Sequence, residues 1–354
     1  MKICYLTHDI NSSAGGGRYA SDLIYGIKNS GHEVLILKES SDGFDGIPIL
    51  KRGYGLFFSA LRAWKHLRDC DIIHALDVYP YGIIAYLTNI FLNKRLVITA
   101  QGTYSIAPLY HKKTSWLSKK SCRAADIVIA ISNFTKKELL KKTTVSKIEV
   151  INHGINLRNF YREHKEESER FILGIGSLKS RKGYHISIPA FVLAKKRIPD
   201  LKYKIIGSQE DAHYFSKLKS LARDYAVEDD IEFLSRISDE HLSSLYQKAR
   251  LFILTSINVD HHFEGFGLVF LEAAAAGLPV IGTKGNGIED AIKDGDNGIL
   301  VPQNDIEKTA TAITSILSDN SRWKNMSNYS YRWAKDHDLQ NVIQKYGDTY
   351  KKLI

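Results

Sequence analysis

The sequence predicts two α/β domains in tandem, each built on a parallel, doubly wound sheet. Apolar strand-like runs alternate with helical patterns along nearly the whole chain. A polar stretch near the middle interrupts the alternation, which then restarts. The chain has 354 residues, and domains of roughly 100–200 residues leave room for two, each able to bury its own core.

The first half opens with an apolar strand at residues 2–7, followed by a helical pattern over 18–29 and a strand at 33–37. Helix 57–68, strand 71–75, helix 82–92 and strand 96–99 come next. Helix 112–124, strand 127–130, helix 136–142 and strand 148–151 close the half. Residues 156–170 (NLRNFYREHKEESER) carry almost no apolar spacing and read as the linker. The second half runs strand 171–174, helix 183–197, strand 203–206, helix 212–225 and strand 231–233. Helix 239–248, strand 251–255, helix 268–276, strand 280–282 and helix 306–317 follow. This predicts domains at residues 1–160 and 161–335, with a C-terminal helix at about 336–354 returning to the first. Rossmann-like sheets bind ligands outside the carboxyl ends of their strands, so two of them facing each other would share one cleft.

Hydrophobic residues make up 44% and charged residues 25% of the chain, the balance of a globular protein. Cys4, Cys70 and Cys122 are widely spaced and odd in number, so neither a disulfide framework nor a zinc pattern is visible, and a cytoplasmic location is expected. Residues 2–6 run straight into a strand, with no signal-peptide pattern. The longest apolar stretch, 82–92, contains Thr88 and Asn89 and is too short to cross a bilayer. The net charge is +10, and residues 112–147 hold ten lysines and arginines against Asp126 and Glu138, a local net of +8. Such a field attracts phosphates, acidic glycans or anionic lipid headgroups. Residues 56–68 (LFFSALRAWKHLR) mix aromatic and basic side chains, as a helix lying on a membrane surface does, although a core-facing helix with a wet basic side fits too. No nucleic-acid motif accompanies the charge.

Three motifs carry chemistry. Gly15-Gly16-Gly17-Arg18 stands between the first strand and the first helix, where small residues let backbone amides approach an anion. Its loop is too long for a dinucleotide fingerprint, although Glu39 sits where a ribose-binding acid would lie. The second motif, Gly174-Ile175-Gly176-Ser177-Leu178-Lys179-Ser180-Arg181-Lys182-Gly183, places adjacent cations at the mouth of a strand-to-helix loop. Arg offers a planar fork to a pyrophosphate and Lys a point charge. The third, Glu264-Gly265-Phe266-Gly267-Leu268-Val269-Phe270-Leu271-Glu272, sets two carboxylates on either side of a helix start. The free amides there suit a phosphate, and each carboxylate can accept a pair of sugar hydroxyls. His261-His262 lies beside Glu264, but adjacent residues rarely ligate one ion, so no metal is expected.

With these motifs in place, the chain resembles the retaining glycosyltransferases of family 4, which have the two-domain GT-B fold. The likeness spans essentially the whole chain. It also includes Asp71-Ile72-Ile73-His74-Ala75, Ala125-Asp126-Ile127-Val128-Ile129-Ala130-Ile131-Ser132, Val150-Ile151-Asn152-His153-Gly154-Ile155-Asn156, Gly277-Leu278-Pro279-Val280 and Asp294-Gly295-Asp296-Asn297-Gly298-Ile299-Leu300-Val301-Pro302. The resemblance implies a nucleoside-diphosphate sugar as donor and no cofactor. It implies that the Gly16 amide, with Gly17, Gly176 and Ser177 close by, meets the diphosphate, and that Arg181 and Lys182 neutralise it. Glu264 and the backbone of Phe266, Gly267 and Leu268 would hold the sugar, and Glu272 the ribose. Two positions depart from the family pattern. Ser177 stands where relatives often carry arginine, and Gln101-Gly102, on the acceptor or sugar side, replaces a frequent His-Gly; a glutamine cannot carry a proton.

The expected function is transfer of a sugar to a glycan, lipid-linked or small-molecule acceptor, in cell-surface polysaccharide or glycolipid synthesis, by a cytoplasmic enzyme stationed peripherally on the membrane. A non-catalytic sugar-nucleotide-binding protein and an NAD-dependent oxidoreductase are the alternatives. A glycosidase fits less well, because the two acids flank a phosphate-binding helix start and not a glycan groove.

Overall fold

The computed structural model describes residues 1–11, 15–41, 43–157, 160 and 171–354. It divides into two compact units, one of Met1–Gly154 with Leu339–Ile354 and the other of Ile155–Asp338. The division falls at 154/155, ahead of the expected 160/161 boundary, and the return to the first unit begins at Leu339, where the sequence predicts about 336. Of the linker expected at 156–170, only 156, 157 and 160 are among the described residues.

The first unit is a parallel sheet in the order β3-β2-β1-β4-β5-β6-β7. Its strands are β1 (Lys2–Thr7), β2 (Glu33–Lys38), β3 (Ile47–Pro48), β4 (Ile72–Ala75), β5 (Arg95–Ala100), β6 (Ile127–Ala130) and β7 (Ile148–Val150). Between them run α1 (Gly15–Asn29), α2 (Gly55–Leu67), α3 (Ile83–Asn89), α4 (Thr103–Tyr110), α5 (Ser115–Ala124) and α6 (Asn133–Leu140). The central strands are largely apolar because helices cover both faces of the sheet; β4 and β6 are buried at every residue.

Three readings of this half need correction. The glycine triplet is the first turn of α1 and not a loop ahead of it. The helix expected at 112–124 begins at Ser115, because residues 111–114 form the turn between it and α4. The helix expected at 82–92 is the shorter α3.

The C-terminal helix α13 (Leu339–Lys351) packs on the first unit through a buried polar network. Tyr350 shares a hydrogen bond of 3.0 Å with the hydroxyl of Tyr5, and Tyr346 one of 2.6 Å with that of Tyr19. His74 on β4 joins Tyr350 through Nδ1 at 2.7 Å and Thr99 through Nε2 at 2.8 Å. Burial drives the His74 imidazole down to about 3, so it is a neutral core group there. His153, stacked on Tyr19, is lowered by burial to about 4.

The second unit is a parallel sheet in the order β10-β9-β8-β11-β12-β13. Its strands are β8 (Phe171–Ile175), β9 (Lys202–Ile206), β10 (Ile231–Leu234), β11 (Leu251–Ile253), β12 (Val280–Thr283) and β13 (Gly298–Val301). The helices are α7 (Tyr184–Lys195), α8 (Ala212–Asp224), α9 (Asp239–Lys248), α10 (Leu268–Ala275), α11 (Ile306–Leu317) and α12 (Asn320–Asp336). The strand expected at 251–255 ends at Ile253. Side-chain caps set several helix starts: Asp211, Ser238, Asp305 and Asp319 each accept from the amide three residues on. Phe191, Phe252, Phe266 and Phe270 are among the largest fully buried side chains.

Candidate active site

In both sheets the chain winds outward in two directions from one point, between β1 and β4 in the first and between β8 and β11 in the second. Loops leaving adjacent strands at such a point diverge and open a crevice at the carboxyl edge of the sheet. The three motifs all lie in the connections that follow β1, β8 and β11: the first in the opening turn of α1, the second in the loop after β8, and the third across the loop after β11 and the start of α10.

In the second unit the loop after β8 carries Arg181 and Lys182 in a single 3-10 turn, Ser180–Lys182. The loop after β11 carries Glu264. Because β8 and β11 are hydrogen-bonded neighbours, the two loops run side by side and are stitched together. The Ile257 amide donates to the Arg181 carbonyl at 2.8 Å, and the Thr255 hydroxyl to the Gly183 carbonyl at 2.7 Å. Gly183 has φ +73, and a Cβ there would stand 1.8 Å from the Thr255 carbonyl oxygen. The close approach that delivers the cations therefore requires glycine.

The stitching brings both cations onto one carboxylate. Lys182 Nζ is 2.6 Å from Glu264 Oε2 and Arg181 Nη1 is 3.4 Å from the same oxygen. The Ser256 hydroxyl donates to it at 3.5 Å. Burial pushes the Glu264 carboxyl up, but the Lys182 and Arg181 charges outweigh it and hold the group below its ordinary value. Glu264 is 15% exposed at its side chain and Lys182 11%, against 31% for Arg181. The cluster is thus a partly desolvated group with one excess positive charge, in which the arginine is the most accessible member.

Three residues beyond Glu264, Gly267 turns the chain with φ +85 into α10, whose first turn has no side-chain cap. The turn is pinned from the other side: the Gly287 amide donates to the Glu264 carbonyl at 2.8 Å, and a Cβ on Gly287 would meet the Gly265 carbonyl oxygen at 1.9 Å. Phe266 is buried, so that position offers its backbone. Glu272 lies one turn into α10 and is only 3% exposed; Tyr246 on α9 donates to its Oε2 at 2.7 Å. The second glutamate is therefore a buried group, held by a tyrosine that the sequence motif does not contain. Gly176 and Ser177 begin the β8 loop, where the Tyr184 hydroxyl donates to the Gly176 carbonyl at 2.9 Å.

In the first unit Gly15 and Gly16 are open, with no atom within 4 Å of an added Cβ, whereas Gly17 is closed: its Cβ would stand 2.1 Å from the Asn11 carbonyl oxygen. Gly17 is thus needed by the chain itself, whereas an added Cβ at Gly16 meets none of the described residues. Gln101 ends β5 with its side-chain amide donating to the Leu76 carbonyl at 2.7 Å and its backbone amide to the Ser105 hydroxyl at 2.8 Å. Its side chain ties the ends of two strands together. Glu39 accepts from Arg52 Nε at 2.8 Å and from the Tyr81 hydroxyl at 2.6 Å, and contacts His8 Nδ1 at 3.2 Å. Its neighbours occupy the carboxylate, which leaves the ribose-acid reading little support.

Sequence reasoning missed Asp77, just past β4. It is 8% exposed and its Oδ1 accepts from the Val78 amide at 2.8 Å and from the Ser105 hydroxyl. Burial raises its carboxyl to about 7, against the pull of those hydrogen bonds and of Arg52. This gives a signed stability prediction. Between about pH 5 and 6, unfolding adds a proton at His74 and another at His153, whose folded values are depressed. It removes one at Asp77, whose folded value is raised. From these groups stability therefore falls toward acid by up to about 1.4 kcal/mol per pH unit. Asp77→Asn removes the opposing group and should steepen the loss to about twice that. Urea unfolding at two pH values measures both slopes, and equal slopes would contradict the protonation of Asp77.

Among the described residues, no group of three or more His, Cys, Asp or Glu is placed to hold a metal ion. All three cysteines are free and buried. No helix among the described residues is long and apolar enough to cross a membrane.

Two parallel α/β units with paired acids and cations at a topological switch point define the GT-B class of glycosyltransferase. Residues 13–159 match the family described as Glycosyltransferase Family 4 and residues 158–333 that described as Glycosyl transferases group 1. The chain belongs to glycosyltransferase family 4, and is a glycosyltransferase. The D-inositol 3-phosphate glycosyltransferase of Corynebacterium urealyticum is 29% identical over 82% of this chain and 73% of its own length. The poly(glycerol-phosphate) alpha-glucosyltransferase of Bacillus subtilis is 34% identical over 51% of this chain but only 25% of its own. Anabaena HepE, solved in complex with UDP and glucose, superposes with a TM-score of 0.84 at 18% identity, covering 99% of this chain and 100% of that one. At that identity the likeness shows the fold.

Proposed function

We propose that the chain moves a sugar from a nucleoside-diphosphate sugar to a glycan, lipid-linked or small-molecule acceptor with retention of anomeric configuration, in the synthesis of a cell-surface polysaccharide or glycolipid. The observation that carries this is the Arg181–Lys182–Glu264 cluster beside the start of α10. Its excess positive charge and the helix amides suit the diphosphate that leaves when the glycosidic carbon–oxygen bond breaks. In this reading Arg181 and Lys182 take up the leaving charge, with Gly176 and Ser177 lining the loop. Glu264 and the backbone of Phe266, Gly267 and Leu268 orient the sugar, and Glu272 accepts from the ribose hydroxyls. In the same reading Gly16 and Gly17 are assigned to the diphosphate, and Gln101 and Gly102 to the acceptor or sugar.

No carboxylate is placed as a nucleophile in this scheme. The departing phosphate oxygen itself accepts the acceptor hydroxyl's proton, on the face where the new bond forms. Glutamine at position 101 is compatible with that route, since it is asked for no proton.

The names of the relatives fit an acceptor that carries phosphate: D-inositol 3-phosphate in one, poly(glycerol-phosphate) in another. The +8 of residues 112–147 suits such an acceptor or an anionic membrane. We place the enzyme in the cytoplasm, peripherally on the inner face of the membrane.

A thermal-shift panel of UDP-, GDP- and ADP-sugars tests the donor reading. One nucleotide class should raise the melting temperature, by the equivalent of about 2.7 kcal/mol at a hundredfold excess over Kd. A panel without any shift would count against it. Turnover is also expected to persist in EDTA, because the two side-chain cations and the helix amides do what a metal would do. Loss of activity that magnesium or manganese restores would overturn that expectation.

A further inference from the structure

Helix α2 has an apolar face that the protein does not cover. Its inner side, Leu56, Ala60, Ala63 and Leu67, is buried against the first unit. Its outer side carries Phe57 at 61% exposure, Phe58 at 69%, Leu61 at 72% and Trp64 at 38%. Tyr54, just before the helix, is 96% exposed. Positions 54, 57, 58, 61 and 64 recur at helical spacing, so these side chains form one outward stripe. The next helix packs on α2, the Thr88 hydroxyl of α3 donating to the Ala60 carbonyl at 3.2 Å, and the turn after α3 carries a further exposed aromatic, Phe91 at 81%. Scattered exposed apolar residues are ordinary; a contiguous aromatic patch marks an interaction surface.

The flanks show what the surface meets. Arg62, Lys65 and Arg68 are exposed on α2 and its immediate end, and α2 contains no acid. Helix α5, packed on α3, adds Lys119, Lys120 and Arg123 with no acid of its own. A second copy of the chain docked symmetrically on this face would oppose these cations to their own duplicates. An anionic lipid surface complements them, and its acyl region accepts the aromatic stripe.

We propose that this α2 face inserts into one leaflet of an anionic bilayer, with Phe57, Phe58, Leu61 and Phe91 in the acyl boundary and the basic rim at the headgroups. The inference rests on the peripheral-membrane reading above and goes beyond it: attachment is apolar as well as electrostatic. The charge of residues 112–147 is spread over α5, α6 and the segments around them, and Glu138 takes up part of it by pairing with Lys141 at 2.5 Å, so charge alone is a diffuse anchor.

Co-sedimentation of the full chain with phosphatidylglycerol-rich and pure phosphatidylcholine vesicles tests it. The wild type should bind the anionic vesicles, and part of that binding should survive about 0.5 M salt, where screening removes most long-range attraction. The triple variant Phe57→Ser, Phe58→Ser, Phe91→Ser should lose roughly a hundredfold in vesicle affinity at unchanged melting temperature, because its exposed side chains support no core. Equal binding by the variant, or wild-type binding abolished by salt alone, would overturn insertion while leaving charge-driven attachment in place. Lipid-free dimerisation of the wild type that the variant abolishes would assign the face to a second copy and overturn it as well. Failure of the wild type to bind anionic vesicles at low salt would overturn both this and the peripheral-membrane reading. None of these outcomes touches the donor site.

Discussion

Replacing Lys182 with alanine is expected to lower kcat by about 10²- to 10³-fold, the usual effect of removing one preorganised electrostatic donor from a water-poor site. Lys182 is the closer of the two cations on Glu264 and the less exposed, so solvent does little to screen it. The loss should fall on kcat and kcat/KM together, with donor KM changed little, because the charge that Lys182 stabilises develops as the diphosphate leaves. Lys182→Arg should recover only part of the rate: a planar fork does not reproduce a point charge in a niche shaped by Gly183 and Thr255. Steady-state release of nucleoside diphosphate measures all three proteins. An alanine variant within about twofold of wild type would remove Lys182 from the chemistry.

The second large effect is at the buried glutamate. Glu272→Ala should weaken binding of the nucleoside diphosphate by about ten- to a hundredfold, since a hydrogen bond to a charged group contributes roughly 1.5–3 kcal/mol. The structure adds a consequence that the motif alone does not carry. Tyr246 is buried and donates to Glu272, so the alanine also takes away a partner of a buried hydroxyl, and stability should fall. Glu272→Gln keeps an acceptor oxygen for Tyr246 and separates the effects: affinity should still drop while the melting temperature stays near that of the wild type. Calorimetric titration with UDP, GDP and ADP, alongside thermal melts, reads both. Unchanged affinity in the alanine variant would sink the ribose assignment.

Much of this was legible before any coordinates, because parallel strands buried on both faces are continuous apolar runs and the helices between them keep their own spacing. What escaped was local or tertiary. Helix α4 follows Gly102 and contains Pro108, so its eight residues look like a loop. Strand β3 has two residues, too few for any pattern. Helix α12 buries Trp323, Met326, Ser330 and Ala334 at helical spacing, but its low overall apolarity hid the stripe. At the site, the paired glutamates and the adjacent cations could each be seen in the sequence. Their meeting depends on β8 lying next to β11, which joins residues 83 apart in the chain. Tyr246 and Asp77 belong to no motif; only packing brings one under Glu272 and buries the other.

The proposed transfer with retention, in which the Arg181–Lys182–Glu264 cluster receives the leaving diphosphate, fixes the stereochemistry of the released sugar. Time-resolved proton NMR of the slow hydrolysis of an α-linked donor, chosen by the thermal-shift panel, tests it without knowledge of the acceptor. The free sugar should appear first as the α-anomer, before mutarotation, and Lys182→Ala should slow its appearance by about the same factor as diphosphate release. A β-anomer appearing first, or release that is indifferent to Lys182, would contradict it.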